Sequence, residues 1–384
     1  MKKVYLDNGA TTQVAKEVAQ TMQKTLTKKF GNPNSLHSFG EEAKIELEKA
    51  RGIIAKKINA EPSEIIFTSG ATESDNLAIK AIAYKHRDKG NHIITSKIEH
   101  PAVLSTCEAL EKEGFRITYL SVDKEGFIDL KKLEKAITPE TILITIIHAN
   151  NEIGTVQDIE EIGKICKEKN IIFHTDVAQS FTKVPIDVKQ TNIDILSVSG
   201  HKIHGPKGIG ALFVKKGTKI KPLFNGGEQE NKLRPGTENM PGIIGLAKAV
   251  EISKEKDLEH MRKLRDMLIE GIEKNIPDMV FNGSRDRRLV NNVNIAFKYV
   301  EGESLLYQLN DKGIAVSTGS ACSSHSLSPS HVLIAIGLKP EDAHGSIRFT
   351  LSRYTTKEEI EYTVNSLKGI VENLRKISPL GRKR

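Results

Sequence analysis

The sequence predicts an α/β protein: a mostly parallel sheet of seven strands in a large domain, with helices on both faces, and a smaller α+β domain after it. Three observations predict it. Between about residues 40 and 216, seven short β-branched runs (EIIFTS, HIITS, ITYLSV, TILITIIHAN, IIFHTD, DILSVS and ALFVKK) alternate with stretches of 3.6-residue period such as EEAKIELEKARGIIAKKI, ESDNLAIKAIAYKHRDK and DIEEIGKICKEKN. Strands that return through a helix pair in parallel and are covered on both faces. The chain has 384 residues, long for one core, which sets an expectation of about two domains. Past RPGTENMPG the pattern changes to one long helical stretch, roughly 242–274, then two strands, NNVNIAF and SIRFTLS, and a final helix from about 357 to 376. The boundary falls near residue 255, beside or within the long helix.

Composition excludes several classes. The chain is 38% hydrophobic and 28% charged, the balance of a globular protein. Its formal charge is +8, but the lysines are interleaved with glutamates, and there is no Trp and only 5% aromatic content. A solvated basic surface therefore outweighs stable nucleic-acid binding. Three cysteines fit a reducing compartment, and MKKVYLDNGATT lacks the apolar run of a signal peptide. The longest apolar run, near ILITII, is far shorter than the roughly 20 residues of a membrane span. The expected location is cytoplasmic, with no membrane contact.

Ligands of parallel sheets bind beyond the carboxyl ends of the strands, and four polar clusters fall there. TSGATESDN follows the strand EIIF and opens a helix, so the free amides of Gly70 to Glu73 suit a phosphate. The alternative is a capping box of Thr72 with Asp75. IIFHTDVAQ carries an apolar strand into Asp176, with Gln179 close behind. A carboxylate there is costly unless paired, so it is either a structural acceptor or the partner of a cationic ring nitrogen. HANNEIG places Asn150 and Asn151 after another strand. SVSGHKIHGPKGIG sets Lys202 at a strand end in a glycine-rich turn, where burial and positive neighbours lower an amine's pKa from ~10.4 and make it nucleophilic. Lysine, aspartate and phosphate cup together fit pyridoxal phosphate. The histidines of HKIH have no cysteine or carboxylate cluster beside them, so no metal is expected, and nucleotide and serine-hydrolase motifs are absent.

The cysteines divide by context. Cys107 and Cys166 lie at helical spacing among apolar residues and read as core. Cys322 sits in VSTGSACSSHSLSPSH, a run of small polar residues that reads as an exposed loop, where a thiol can act as a nucleophile. In SIRFTLS, Arg348 offers a planar fork for a carboxylate, or forms a structural ion pair.

LDNGATT, GNPNSLHSFG, FTSGATESDN, EHPAVL, NNEIGTVQ, HTDVAQ, SGHKIHGPKG, RPGT and STGSACSS occur in this order from residue 4 towards the C-terminus. Together they resemble a cysteine desulfurase of the class V aminotransferase superfamily, in the group whose long cysteine loop supplies sulfur for iron-sulfur clusters. The resemblance implies a fold-type-I homodimer that converts L-cysteine to L-alanine. Lys202 would hold the cofactor covalently and move protons at the substrate's α-carbon. Asp176 would pair with the ring nitrogen, Gln179 with the ring hydroxyl, and His100 would stack on the ring and relay protons. Ala71, Thr72, Ser199 and His201 would hold the phosphate, with Thr237 from the neighbouring subunit. Asn151 would fix ring and substrate. Arg348 would grip the substrate carboxylate with Asn34 as helper, and Cys322 would take the sulfur as a persulfide. The acceptor would be an iron-sulfur scaffold protein or another sulfur acceptor, including one that thiolates tRNA. The rival uses are an ordinary class V aminotransferase, a selenocysteine lyase or an idle scaffold.

The family pattern also implies domains of 15–254 (large, cofactor-binding) and of 1–14 with 255–384 (small, carrying the cysteine loop). The sequence departs from that pattern at Gly9 and Gln13, more often Ala and Pro. It departs again at Glu228, Asn231, Lys232 and Pro235, more often Gly, Arg, Gly and Ser, near the subunit contact.

Overall fold

The computed structural model describes residues 2–318 and 329–378, so Cys322 lies outside the described residues. After β1 (Val4–Tyr5), the seven expected runs become β2 (Ile65–Thr68), β3 (His92–Ser96), β4 (Arg116–Leu120), β5 (Thr141–Thr145), β6 (Ile172–Asp176), β7 (Ile195–Ser199) and β8 (Gly210–Val214). They form one sheet in the order β2-β8-β7-β6-β5-β3-β4. The pairs β3–β4, β3–β5, β5–β6 and β6–β7 are parallel, whereas β8 is antiparallel to both β2 and β7. The chain passes from Ser199 to Gly210 through a tight turn without a crossover helix, so β8 must run back along β7.

Both faces of the sheet are covered, and side chains alternate between two cores. Ile65, Phe67, Leu196, Val198, Ala211 and Phe213 join one core with the helices Ser38–Lys57 and Met240–Glu251. Ile66, Ile195, Leu212 and Val214 join the other, with the helix Ala71–His86 and with Val103 and Cys107 of the helix Pro101–Lys112. Burial on both faces is why these strands read as unbroken apolar runs.

The expected long helix is two helices, Met240–Glu251 and Glu255–Asn275. Their apolar faces serve different cores: Ile243, Leu246 and Val250 pack under the large sheet, and Leu264, Leu268 and Ile272 pack in a second cluster. One straight helix cannot serve both, and Lys254 breaks it with extended backbone. The second cluster is built on β9 (Met279–Phe281), β10 (Asn292–Phe297), β11 (Ile314–Ala315), β12 (Ser317–Thr318) and β13 (Ser346–Thr350), with the final helix Lys357–Ile377. β12-β13-β10-β9 is an antiparallel sheet, and β1 pairs in parallel with β11. Val4 and Leu6 belong to this cluster, while the next residues cross to the carboxyl ends of β6 and β7. No helix among the described residues is long and apolar enough to cross a membrane.

Candidate active site

A cavity of about 520 Å³ opens at the carboxyl ends of β6 and β7, and Ala71, Thr72, His100, Asn151, Asp176, Gln179, Ser199, His201, Lys202 and Arg348 all line it. Each is put there by a strand end or a helix start. Lys202 ends a single turn, Gly200–Lys202, directly after β7. That turn is held from outside by Thr12, whose amide (2.9 Å) and hydroxyl (2.8 Å) both donate to the His201 carbonyl. The Lys202 amine donates to the carbonyls of Gly9 (2.6 Å) and Ala10 (2.7 Å).

Asp176 is the last residue of β6 and is buried; it accepts the Ala178 amide at 2.8 Å. Burial pushes its pKa up to about 6 against that hydrogen bond and the charge of Lys202. Gln179 donates to the Gly9 carbonyl at 2.9 Å. His100 caps the helix Pro101–Lys112, its Nδ1 accepting the Ala102 amide at 3.1 Å. Burial, then the charges of Lys202 and His331, push His100 down to about 4, so its ring is neutral near pH 7. His201 is likewise pushed to about 4, chiefly by burial.

The expected alternative at the helix Ala71–His86 is corrected. Gly70 is the N-cap and no side chain caps it. Glu73, not Asp75, reaches back, accepting the Ser69 amide (2.8 Å) and the Arg234 Nε (3.0 Å). Asp75 is fully buried, with no hydrogen-bond partner on either oxygen. Burial and the nearby Asp176 raise its pKa well above the usual carboxylate range. Tertiary burial thus overrides the local Thr-x-x-Asp pattern. The first-turn amides stay without intrahelical partners, and Gly70, Ala71, Thr72 and Glu73 line the cavity. β8 crowds the same place: a Cβ on Gly210 would lie 2.7 Å from the Gly70 Cα.

Arg348, buried on β13, donates to the Asn151 carbonyl (3.0 Å) and pairs with Asp7 (3.0 Å), and its Nε has no partner. The Asn151 side-chain oxygen is also buried and unpartnered. Asn150 is spent on structure: its amide donates to the Ile98 carbonyl, and its oxygen accepts the amides of Glu152 and Ile153. Two expected residues do not reach this cavity within the chain. Thr237 lines a neighbouring one with Ser69 and Gly208, and Asn34 donates to Glu238 at 3.2 Å on the same side. Cys107 and Cys166 are buried free thiols, as expected of core cysteines, and burial pushes Cys107 up to about 12.

Four residues at or beside the site carry no sign of it in the expectations above. Asp7 and Gly9 sit in LDNGATT, which the family pattern puts in the small domain. Glu99 and Glu152 are buried acids beside His100 and Asn151, pushed by burial to about 8 and about 7. Glu152 accepts a hydrogen bond from Ser330. A carboxylate adjoining each strand-end candidate was the available sign.

The fold and the amine–carboxylate–guanidinium site define a class. The family model described as aminotransferase class-V matches residues 4–363, and the chain belongs to that family. Within it, the chain is 56% identical over 381 residues to the cysteine desulfurase IscS of Dictyoglomus turgidum, covering 98% of this chain and 97% of that protein. Among solved structures it is similar to a NifS-like protein (TM-score 0.91, 39% identity, 97% of this chain and 100% of that one). It is also similar to a structure described as SspA in complex with cysteine (TM-score 0.84, 43% identity, 92% of this chain and 100% of that one).

The residues present fit pyridoxal phosphate. The uncapped helix start beside Gly210 suits the phosphate, the buried and thinly bonded Asp176 suits a ring N–H, and Lys202 lies in the same cavity.

Proposed function

We infer that the chain is a pyridoxal-phosphate-dependent cysteine desulfurase that converts L-cysteine to L-alanine and passes on the sulfur as a persulfide for iron-sulfur cluster assembly or tRNA thiolation. The observation that carries this is the convergence of Lys202, Asp176 and Arg348 on one cavity. An amino acid offers an amine to the covalent centre and a carboxylate to the guanidinium. The cofactor, when bound, supplies an electron sink that loosens bonds at the substrate's α- and β-carbons.

The chain's own residues do the rest. Asp176 holds a proton on the ring nitrogen, which needs the carboxylate ionised, and that cation returns its pKa downward. Gln179 would meet the ring hydroxyl, and Ala71, Thr72, Ser199 and His201, which line the same cavity, would hold the phosphate. Arg348 already spends two donors on Asn151 and Asp7, so its guanidinium is held in one plane before the substrate carboxylate arrives. Asn151 offers its unpartnered oxygen. Lys202 would move the proton at the α-carbon, and neutral His100 could carry one. The thiolate of Cys322 attacks the substrate sulfur. An S–S bond forms, the Cβ–S bond breaks with its electron pair left on carbon, and a proton completes the methyl group of alanine.

The domain division at residue 254 with 1–14 in the small domain, the homodimer and the cytoplasmic location belong to the same proposal. Leu26, Phe30, Leu36, Phe39 and Ile45 are exposed, and the Phe30 and Phe39 rings stack at 5.6 Å. An apolar surface of this kind supports a partner subunit, to whose cavity Thr237 and Asn34 would be offered. A nucleophilic thiol requires a reducing compartment. Borohydride reduction of the loaded protein should tag Lys202 and no other residue, by peptide mass mapping. Cys322→Ser should abolish alanine release from L-cysteine and keep the cofactor's colour. A tag elsewhere, or a serine variant with normal turnover, would overturn the assignment.

A further inference from the structure

β6 and β7 pair in register from His174 with Ile195 to Asp176 with Ser197, and the ladder ends there. Beyond it the two chains separate into the turns that carry Gln179 on one side and His201 and Lys202 on the other. The side chain of Lys183 spans the gap. The amine of Lys183 donates to the Gln179 carbonyl at 2.8 Å and to the Lys202 carbonyl at 3.2 Å. We propose that Lys183 is a positioning residue, a cross-tie that holds the main chain of the covalent lysine at a fixed distance from the main chain of the residue facing the ring hydroxyl. The inference rests on the function proposed above for its purpose, but not for its test.

Three further observations support the tie. Thr182, immediately before Lys183, has φ +65°, a left-handed conformation that a β-branched residue adopts only under compulsion from its surroundings. Strain of this kind next to a site is a sign that the direction of the following residue matters. Second, Lys183 has no carboxylate partner among the described residues. Its neighbours are the charges of Lys202 and Arg353, and Arg353 is itself held by Asp257 at 3.3 Å. Burial first, and then those two cations, push its pKa down to about 7. A lysine placed for an ion pair would sit beside an acid, whereas an amine with two N–H groups on two carbonyls is placed for geometry. Third, the Lys202 turn is fastened at several other points, where the Gly200 amide donates to the Ile209 carbonyl, the His201 ring meets the Thr11 hydroxyl and the Lys202 amine reaches Gly9 and Ala10. The amides of Ile203 and Gly205 close it onto the Gly200 carbonyl, and Thr12 holds the His201 carbonyl from outside. Lys183 adds a bond to the Lys202 carbonyl itself.

Lys183→Met keeps the length and bulk of the side chain and removes both donors. Amide hydrogen exchange is read on the cofactor-free full chain, and pyridoxal phosphate affinity is read separately by equilibrium dialysis. In the methionine variant, exchange at Ile203 and Gly205 should rise about tenfold, the loss of one hydrogen bond's worth of protection, with the helix Ala71–His86 unchanged. Affinity for pyridoxal phosphate should fall by a similar factor. Lys183→Gln, which keeps a donor but is too short to span both carbonyls, should give intermediate values, and it is the fallback if the methionine variant does not fold. Wild-type exchange at Ile203 and Gly205 in either variant overturns the proposal and makes Lys183 a space-filling residue. If the unaltered chain takes up no pyridoxal phosphate at Lys202, the proposed function fails, while the exchange measurement still decides the tie.

Discussion

His92 opens β3 and His100 lies just beyond its other end. Both are pushed to about 4 by burial, with positive neighbours adding to it. They differ in what their nitrogens do. His92 spends Nδ1 on Thr141 (2.7 Å) and Nε2 on Thr118 (2.8 Å), tying three strands together at the amino end of the sheet. His100 spends only Nδ1, on a helix amide, and faces the cavity. A displaced pKa therefore does not distinguish a structural group from a working one; the unspent hydrogen-bonding valence facing a cavity does. The rule extends to neighbours of the site, where Asp75, Glu99, Asn151 and Arg348 each keep a buried polar atom without a partner.

The largest effect that tests this contrast is at His100. His100→Gln keeps a polar side chain at the helix cap but cannot relay a proton, so kcat for alanine formation should fall by about 10²–10³ with cofactor content unchanged. A fall of less than threefold would remove His100 from the chemistry and erase the distinction between the two histidines.

Glu99 sharpens the comparison through pH. The folded chain holds its proton up to about 8, whereas the usual carboxylate value is 4.5. Folding therefore binds a proton throughout that window, and stability falls as pH rises within it, by up to about 1.4 kcal/mol per pH unit for one fully retained proton. The buried histidines act in the opposite sense, but only below their ordinary 6.5. Between pH 7 and 8 Lys183, pushed down to about 7 from its ordinary 10.5, acts in the opposite sense to Glu99, while Glu152 is nearly finished at about 7. Glu99→Gln, which mimics the protonated acid, removes the falling contribution, so the urea midpoint of the cofactor-free variant should climb more over that interval than that of the unaltered chain. An unchanged slope would mean that Glu99 is ionised in the fold.

His92→Leu is the structural counterpart. It leaves the hydroxyls of Thr118 and Thr141 short of a partner at a cost of about 1–3 kcal/mol, while kcat should be unaffected. Loss of activity at full cofactor loading would show that the amino end of the sheet reaches the chemistry.

What was legible follows the same line. The seven strands of the large sheet announced themselves because burial on both faces makes each a short apolar run, and their ends marked Asp176, Asn151 and Lys202 as polar residues where apolar ones would be expected. β9, β11 and β12 were not legible, since two or three residues carry no period. Nor was the segment from Asp7 to Thr12. It touches Lys202 and Gln179 through the main-chain carbonyls of Gly9 and Ala10, which every residue possesses and no residue type advertises. Asp75 was misread because its spacing from Thr72 satisfies a local rule, and only the packing of its helix on β7 shows that it is buried.

The smallest expected effect lies at a departure from the family pattern. Glu230, Asn231 and Lys232 are consecutive residues with φ of +45°, +57° and +65°. The turn is compelled by Glu230, whose carboxylate is buried on Arg51 (2.8 Å to each oxygen) and accepts the Phe67 amide at 2.7 Å. Asparagine tolerates the left-handed region, but lysine carries a Cβ penalty of about 1–2 kcal/mol there, at the position where the family more often has glycine. The ion pair of Lys232 with Glu228 is exposed at both ends and offers little in return. Glycine orders at a greater entropic cost, which cancels part of the gain. Lys232→Gly should therefore raise stability by about 0.5–1 kcal/mol, read as a higher urea midpoint, with kcat unchanged. A lower midpoint would show that the lysine side chain contributes more than its backbone conformation costs. Strain at this turn would then be kept for what the Lys232 side chain reaches, whereas that at Thr182 directs the residue that follows it.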